Sequence, residues 1–241
     1  MLELAKTYDK CRSIRPELTV VFLHGIAASS ESFGGLLTHL SKEEALRSVR
    51  LVAFDLLGSG KSYTSDDLNY NFKEHLEALE NSINNLDVNG PLIIVAHSMG
   101  TMIATRFAKK HKELVQGLIL ISAPIYKKED IENPMFEKAM DGFREVVGRK
   151  SKGLLKSKAF NNEIKYIVSN TNNYNYLLGV EKPTIIIYGE LDRIIAPFNL
   201  PGLMKANSNI SIIKTVGSHG VTIDKYSKIS NAIKGFIKED A

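Results

Sequence analysis

Cysteine is nearly absent, since Cys11 is the single cysteine in 241 residues. One cysteine excludes an internal disulfide bond and cannot supply a cysteine cluster for a metal ion. The sequence also lacks any run of about 18 apolar residues, the minimum for a membrane-spanning helix. Its first ten residues, MLELAKTYDK, carry neither the basic lead nor the apolar core of a secretory signal. We therefore expect a cytoplasmic protein with no membrane span and no metal site.

A strong charge of either sign is lacking too. The chain has 31 Lys and Arg against 27 Asp and Glu, for a formal net charge of +4. Its basic residues are not interleaved with aromatic ones, so we expect no nucleic-acid partner. No internal repeat or low-complexity stretch occurs. What remains is the composition of an ordinary globular chain, 44% hydrophobic and 24% charged, long enough for one core.

Short apolar runs alternate with segments of helical periodicity along most of the chain. This alternation predicts an α/β fold, a mostly parallel central sheet with helices on both faces. Helical patterns include those that start near Phe72 and Met102 and the closing segment KYSKISNAIKGFIKE. The predicted strands are Leu18 to Leu23, Arg50 to Phe54, Pro91 to Val95, Gly117 to Ser122, Thr184 to Gly189 and Ile210 to Val216.

The alternation breaks once, between Ala123 and Pro183. About 60 residues separate two predicted strands there, far more than one crossover needs. Asn133 and Pro134 are typical start signals of a helix, and a second apolar pattern follows. We predict a helical insertion over residues 124–182, called the cap segment below, between core segments 1–123 and 183–241.

The stretch VAHSMGT, Val95 to Thr101, lies between the apolar run PLIIV and the helical segment MIATRFAKK. Its Ser98 admits two interpretations, an ordinary helix N-cap or a nucleophile held on a sharp strand-to-helix turn. Small residues, Ala96 and Gly100, stand two positions before and after it. A serine at positive φ needs such neighbours, because the backbones come close together. Ala96 departs by one methyl group from the usual G-x-S-x-G pattern.

The stretch LLGSGKS, Leu56 to Ser62, ends like a phosphate-binding P-loop, G-x-x-x-x-G-K-[ST]. In that alignment the first glycine falls on Asp55. The residues that follow, YTSDD, are a polar loop and not the helix whose N-terminus should hold the phosphate. We therefore expect no nucleotide hydrolysis at this loop.

Two candidate partners of Ser98 follow the last two predicted strands. Asp192 comes after the strand TIIIYG, and His219 lies in the loop GSHG after the strand ISIIKTV. Open α/β sheets place their sites at the carboxyl ends of such strands. The chain order Ser, Asp, His is that of an α/β-hydrolase. His97 receives no role, since it occupies the variable position beside the serine.

A further motif, FLHGIAAS, ends a predicted strand in His-Gly. With HGIAAS, DLLGSGKS, VAHSMG, GELDRIIAP and GSHG in this order, the chain resembles the α/β-hydrolase superfamily, and most closely its esterase-type members with a helical cap. The resemblance implies that the backbone N–H groups of Ile26 and Met99 form an oxyanion hole and that His24 shapes the first loop. About 17 residues precede the first strong strand, so we expect an abbreviated eight-strand plan whose leading strand is missing or rudimentary.

These residues predict a serine hydrolase. The hydroxyl of Ser98 needs a base, and the imidazole of His219 is suited to that role. Asp192 would orient His219. The predicted reaction is hydrolysis of a small-molecule carboxylic ester with a mainly apolar acyl group through an acyl-enzyme. It needs no metal and no organic cofactor.

Several alternatives stay open at this point. The same scaffold and triad occur in C–C bond hydrolases, thioesterases, perhydrolases and acyltransferases, and a ligand sensor with slow turnover would look alike. Haloalkane dehalogenases are disfavoured, because their nucleophile is aspartate. The basic stretch GRKSKGLLKSK, Gly148 to Lys158, is either a solvated face or a surface for anionic substrates or membranes. We expect preference for uncharged esters of short to medium acyl length, and the sequence sets no oligomeric state.

Overall fold

The computed structural model describes residues 1–88, 90–150, 157–169, 172–192 and 194–238. In this part, seven strands form one sheet in the order β1-β3-β2-β4-β5-β6-β7, parallel except for β1. The strands are β1 Ala5–Lys10, β2 Leu18–Leu23, β3 Val49–Asp55, β4 Leu92–His97, β5 Val115–Ile121, β6 Thr184–Gly189 and β7 Ile210–Thr215. The predicted α/β sheet is confirmed, and all six predicted strands lie within two residues of the observed bounds.

Nine α-helices occur in the described residues. They are α1 Gly34–Leu40, α2 Phe72–Asn84, α3 Met99–Lys110, α4 Lys128–Ile131, α5 Pro134–Lys150, α6 Lys158–Glu163, α7 Asn173–Leu178, α8 Leu200–Ala206 and α9 Tyr226–Lys238. A π-helix, Ile164–Val168, continues α6. Short 3₁₀ turns occupy Ser30–Phe33, Glu44–Leu46, Pro197–Asn199 and Val221–Asp224.

The sheet is buried on both faces, because successive side chains of a strand point to opposite sides. On β2, Val20 and Phe22 belong to the apolar cluster that α1 and α9 complete. Val21 and Leu23 belong to the opposite cluster, which α2 and α3 complete. Continuous apolar strands are stable only between two such layers.

The leading strand β1 pairs antiparallel with β3 at the edge of the sheet. Its sequence, AKTYDK, alternates weakly and stays half-exposed. Arg50 of β3 holds it through a two-pronged ion pair, with Nε and Nη2 each 2.8 Å from one oxygen of Asp9. This single strand is the abbreviated N-terminal part expected from the sequence.

The cap segment contains α4 to α7 and the π-helix. Asn133 starts α5 as predicted, since its Oδ1 accepts a hydrogen bond from the amide of Met135 at 2.9 Å. Phe160, Ile164 and Ile167 join the apolar cluster of α2 and α3. The cap segment is thereby packed onto the core, while Leu154 and Leu155 of its predicted apolar pattern lie outside the described residues.

Candidate active site

Ser98 stands between β4 and α3 in a backbone conformation of φ 50° and ψ −120°. A side chain rarely adopts this region, because Cβ collides with neighbouring backbone atoms. The surroundings are equally tight, since a Cβ added to Gly100 would lie 2.5 Å from the carbonyl oxygen of His24. Ala96 is accommodated within the sheet, opposite Leu23 and Leu120. The turn presents Ser98 at the carboxyl end of the sheet, as the sequence predicted.

The loops after β6 and β7 bring Asp192 and His219 to Ser98. His219 Nε2 lies 2.8 Å from Ser98 Oγ, and its Nδ1 lies 2.9 Å from Asp192 Oδ2. A carboxylate only accepts hydrogen bonds, so Nδ1 carries the proton and Nε2 is left to accept from the serine hydroxyl. Asp192 is buried, and its Oδ1 also accepts from the amide of Ile194 at 3.0 Å.

The predicted oxyanion donors, Ile26 and Met99, both border the cavity that contains Ser98. Met99 is the first residue of α3, where a backbone N–H has no acceptor within its own helix. The amide of Ile26 donates to no protein acceptor in the part of the chain that the structure describes. Both amides are thus without a protein acceptor among the described residues, and both residues border the cavity of Ser98.

His24 shapes the loop that carries Ile26. Its Nε2 accepts from the amide of Leu56 at 2.8 Å, and its Nδ1 lies 2.8 Å from the carbonyl oxygen of Gly25. Desolvation by burial lowers the pKa of His24, so the ring is neutral when it makes both bonds. This matches the structural role that the family resemblance implied.

The loop that resembles a P-loop is held closed by Asp55. One oxygen of its carboxylate accepts from the amide of Ser30 and the other from the amide of Lys61, each at 2.8 Å. These bonds to backbone amides lower the pKa of Asp55 against the desolvation that raises it. The amide of Lys61, which a phosphate would need, is therefore already occupied.

The cavity over Ser98 is small and apolar. Its volume is about 20 Å³, room for about one water molecule. The core contributes its floor, and the cap segment its roof, through Met140 and Phe143 of α5 and Val168 of the π-helix. As it stands, the cavity is therefore too small to hold an ester substrate.

Sequence reasoning missed two groups at the site. Tyr126 lines the cavity, and its hydroxyl donates a hydrogen bond to the carbonyl oxygen of Ile194. Burial raises the pKa of Tyr126 to about 12, so the hydroxyl stays protonated. The sequence offered one signal for Tyr126, namely its position shortly after β5, at the edge of the sheet where the site residues lie. His97 is the second group, and its ring packs beside that of His219 with the two centroids 5.0 Å apart.

Within the described residues, no group of three or more His, Cys, Asp or Glu side chains could hold a metal ion. No helix in the same part of the chain is both long and apolar enough to cross a bilayer.

Sequence comparison places the chain among known proteins. Residues 19–163, more than half of the chain, match the family model described as alpha/beta hydrolase fold. A probable lysophospholipase of Arabidopsis thaliana, BODYGUARD 2, is 37% identical over 108 residues. That match is 45% of this chain and 23% of the plant protein, so the chain covers about a quarter of that relative. The pimeloyl-[acyl-carrier protein] methyl ester esterase of Wigglesworthia glossinidia brevipalpis is 26% identical, over 92% of this chain and 94% of that one.

Structural comparison agrees with the sequence. The bromoperoxidase of Bacillus anthracis superposes with a TM-score of 0.72 at 18% identity, over 99% of this chain and 100% of that one. At that identity the likeness concerns the fold alone. The family model, the sheet order and the position of Ser98 lead to one conclusion: this chain belongs to the alpha/beta hydrolase fold family.

Proposed function

We propose that the protein is a serine hydrolase that cleaves carboxylic esters of small, mainly apolar acyl groups. The observation that carries the proposal is the hydrogen-bonded chain from Ser98 Oγ through His219 to Asp192, at 2.8 and 2.9 Å. Nucleophile, base and orienting acid are the three parts that serine-based acyl transfer requires. The two relatives named above add support, since one is a methyl ester esterase and the other a probable lysophospholipase.

In the proposed reaction each of these groups has one step. Ser98 Oγ bonds to the ester carbonyl carbon while His219 Nε2 takes its proton, and Asp192 stabilises the imidazolium that results. The bond from the acyl carbon to the alkoxy oxygen then breaks, and His219 returns the proton to the departing alcohol. A water molecule then adds to the acyl carbon while His219 takes its proton. The bond from the acyl carbon to Ser98 Oγ breaks, His219 returns the proton to Ser98, and the acid is released. The amides of Ile26 and Met99 would bind the oxyanion and contribute about 3 kcal/mol each.

The cavity favours short acyl chains in this proposal. Its walls are apolar. Because the cavity is small, each methylene added to the acyl chain would displace more of the cap segment. We propose this segment as a unit over residues 124–182. A charged acyl group would have to leave water for an apolar site without a partner. Residues 151–156 of the basic stretch lie outside the described residues.

Labelling tests the nucleophile directly. An uncharged aryl phosphonate should modify the wild type once, at Ser98, and Ser98→Ala should neither be labelled nor turn over aryl esters. A peptide map that puts the adduct on another serine would contradict the assignment. One slow turnover, with a large ligand-induced rise in melting temperature, would favour a ligand sensor over an enzyme.

A pair of variants on α5 tests the acyl pocket. Met140 is buried and borders the cavity, whereas Val147 is buried on the same helix outside the cavity. With aryl esters of increasing acyl length, Met140→Ala should move the optimum of kcat/KM to longer chains, because truncation opens the roof. Val147→Ala should lower stability and leave the optimum where it is. The same shift in both variants would mean that loosening of the cap, and not the pocket wall, sets chain length.

A further inference from the structure

The backbone carbonyl of His219 receives two side-chain hydrogen bonds. His97 Nε2 lies 3.1 Å from this oxygen, and Ser122 Oγ lies 3.2 Å from it. His97 is the last residue of β4 and Ser122 follows β5, so both donors come from neighbouring strands at the centre of the sheet. Both side chains belong to buried residues.

The chemistry of the acceptor settles the state of His97. A carbonyl oxygen only accepts, so the ring of His97 must carry its proton on Nε2. Burial, together with repulsion from the neighbouring His219, lowers the pKa of His97 to about 3. At neutral pH the ring of His97 is therefore a neutral donor.

Ser122 is held in its position at a conformational cost. Its φ is 51°, a value that residues other than glycine rarely adopt. Its amide donates to the carbonyl oxygen of Ile187 at 2.8 Å, which ties this turn to β6. The left-handed turn directs the hydroxyl toward the loop of His219. Strain of this kind persists only where surrounding contacts impose it.

The loop of His219 is also tied to the loop after β6, because the carbonyl oxygen of Gly217 accepts a hydrogen bond from the amide of Leu191 at 3.0 Å. It contains Gly217, at φ 157°, and Gly220, and its imidazole must reach across to Ser98. His97 and Ser98 are consecutive residues, so the donor that holds the loop shares the support of the nucleophile. A displacement of β4 would move both together and preserve the distance from Oγ to Nε2.

We propose that His97 and Ser122 are positioning residues that fix the height of the His219 imidazole over Ser98, by clamping the His219 carbonyl from two sides. The inference rests on the proposed hydrolase function. It gives the same task to His97, the variable residue beside the nucleophile, and to Ser122, which follows β5. Neither residue touches the reacting atoms.

Three substitutions and one control test the clamp. His97→Leu and Ser122→Ala each remove one donor, whereas His97→Gln keeps an N–H that can reach the carbonyl. Ser82→Ala is the matched control, because its buried hydroxyl bonds the amide of Leu4 and the carbonyl of Ala78, away from the site. Kinetics with a short-chain aryl ester should be measured beside melting temperatures for all four variants.

The clamp predicts a loss in kcat without a loss in binding. His97→Leu should lower kcat by about 10- to 100-fold with KM changed by less than about twofold, since small misplacements of a base are costly. Ser122→Ala should show a smaller fall of the same kind, and His97→Gln should recover most of what His97→Leu loses. Ser82→Ala should melt earlier with wild-type kcat. Wild-type kcat in His97→Leu, or equal losses in His97→Gln and His97→Leu, would overturn the proposal.

A second measurement separates the clamp from the proposed function. The proton on His219 Nδ1, shared with Asp192, should give a downfield NMR resonance in the wild type that broadens or disappears in His97→Leu. An unchanged resonance would refute the clamp even if the enzyme turns over esters. A wild type that is neither labelled at Ser98 nor active would refute the hydrolase, while the resonance would still report on the clamp.

Discussion

Replacing Ser98 by glycine should make the protein more stable than replacing it by alanine, although both variants lose the nucleophile. Ser98 has φ 50° and ψ −120°, outside the left-handed helical region that some side chains tolerate. We assign this conformation about 3 kcal/mol of strain, the upper end of the usual range. Alanine keeps the Cβ that causes the strain, and glycine removes it. Both variants lose the hydrogen bond to His219, so that term cancels in the comparison.

Two smaller terms oppose the gain. Glycine has more conformational freedom in the unfolded chain, which costs about 0.5–1 kcal/mol. Removal of one buried methyl group costs about 0.8 kcal/mol. The balance leaves Ser98→Gly about 1–2 kcal/mol more stable than Ser98→Ala. In a chain of this size each kcal/mol raises the melting temperature by about 2–4 °C.

Calorimetry of the two variants, with Ala104→Gly as control, measures this balance. Ala104 is buried in the middle of α3 with ordinary helical geometry, so its replacement by glycine relieves no strain. It should destabilise the wild type by about 1–2 kcal/mol, the helix penalty of glycine plus the lost methyl group. Should Ser98→Gly melt at or below Ser98→Ala, the turn would not store the strain that its dihedral angles indicate.

Three further tests concern the orienting acid Asp192, the strand-to-helix turn that carries Ser98, and the edge strand β1. Asp192→Asn should lower kcat by about 10⁴, the loss known for a triad whose imidazole is left in the wrong tautomer, and near-wild-type turnover would point to another acid. Gly100→Ala puts a methyl group 2.5 and 2.6 Å from two backbone oxygens and should destabilise by about 3 kcal/mol. Gly142→Ala meets nothing within 4 Å, so it should be neutral or stabilising, and equal effects would refute the steric argument. Arg50 lowers the pKa of Asp9 from 3.8 to about 2, so this ion pair stabilises the fold above about pH 4 and is lost as the pH falls through about 2. Asp9→Asn should therefore lower the free energy of unfolding in urea by about 0.5–1 kcal/mol at neutral pH, a value reduced for solvent screening. Near pH 2 the substitution should cost nothing. Equal costs at both pH values would exclude the ion pair as the cause.

Most of the sheet could be predicted from the chain because its strands are continuous apolar runs. A run such as LTVVFL is stable only when both faces are covered, so its composition already implies the layer of helices on each side. β1 is different. Its residues, AKTYDK, have no such pattern, and tertiary contacts make it a strand, among them the antiparallel pairing with β3 and the ion pair between Asp9 and Arg50.

The candidate site divides in the same way. Ser98, Asp192 and His219 each follow a strand, and parallel strands bring their carboxyl ends to one edge, so the sequence predicted their proximity. Their catalytic role stays a prediction for labelling and kinetics to test. The cavity over Ser98 could not be predicted, because its roof comes from cap residues whose spacing indicates only a helix.

The sequence by itself determined which residues meet at the sheet edge, through local patterns of apolar runs, small residues and turns. The tertiary structure decided what holds them there. The bond from His97 to the carbonyl of His219 joins residues 122 positions apart in the chain. A hydrogen bond depends on distances within a few tenths of an ångström and on direction. No local pattern encodes such geometry, because it arises only when the strands, their twist and the two loops are assembled in one fold.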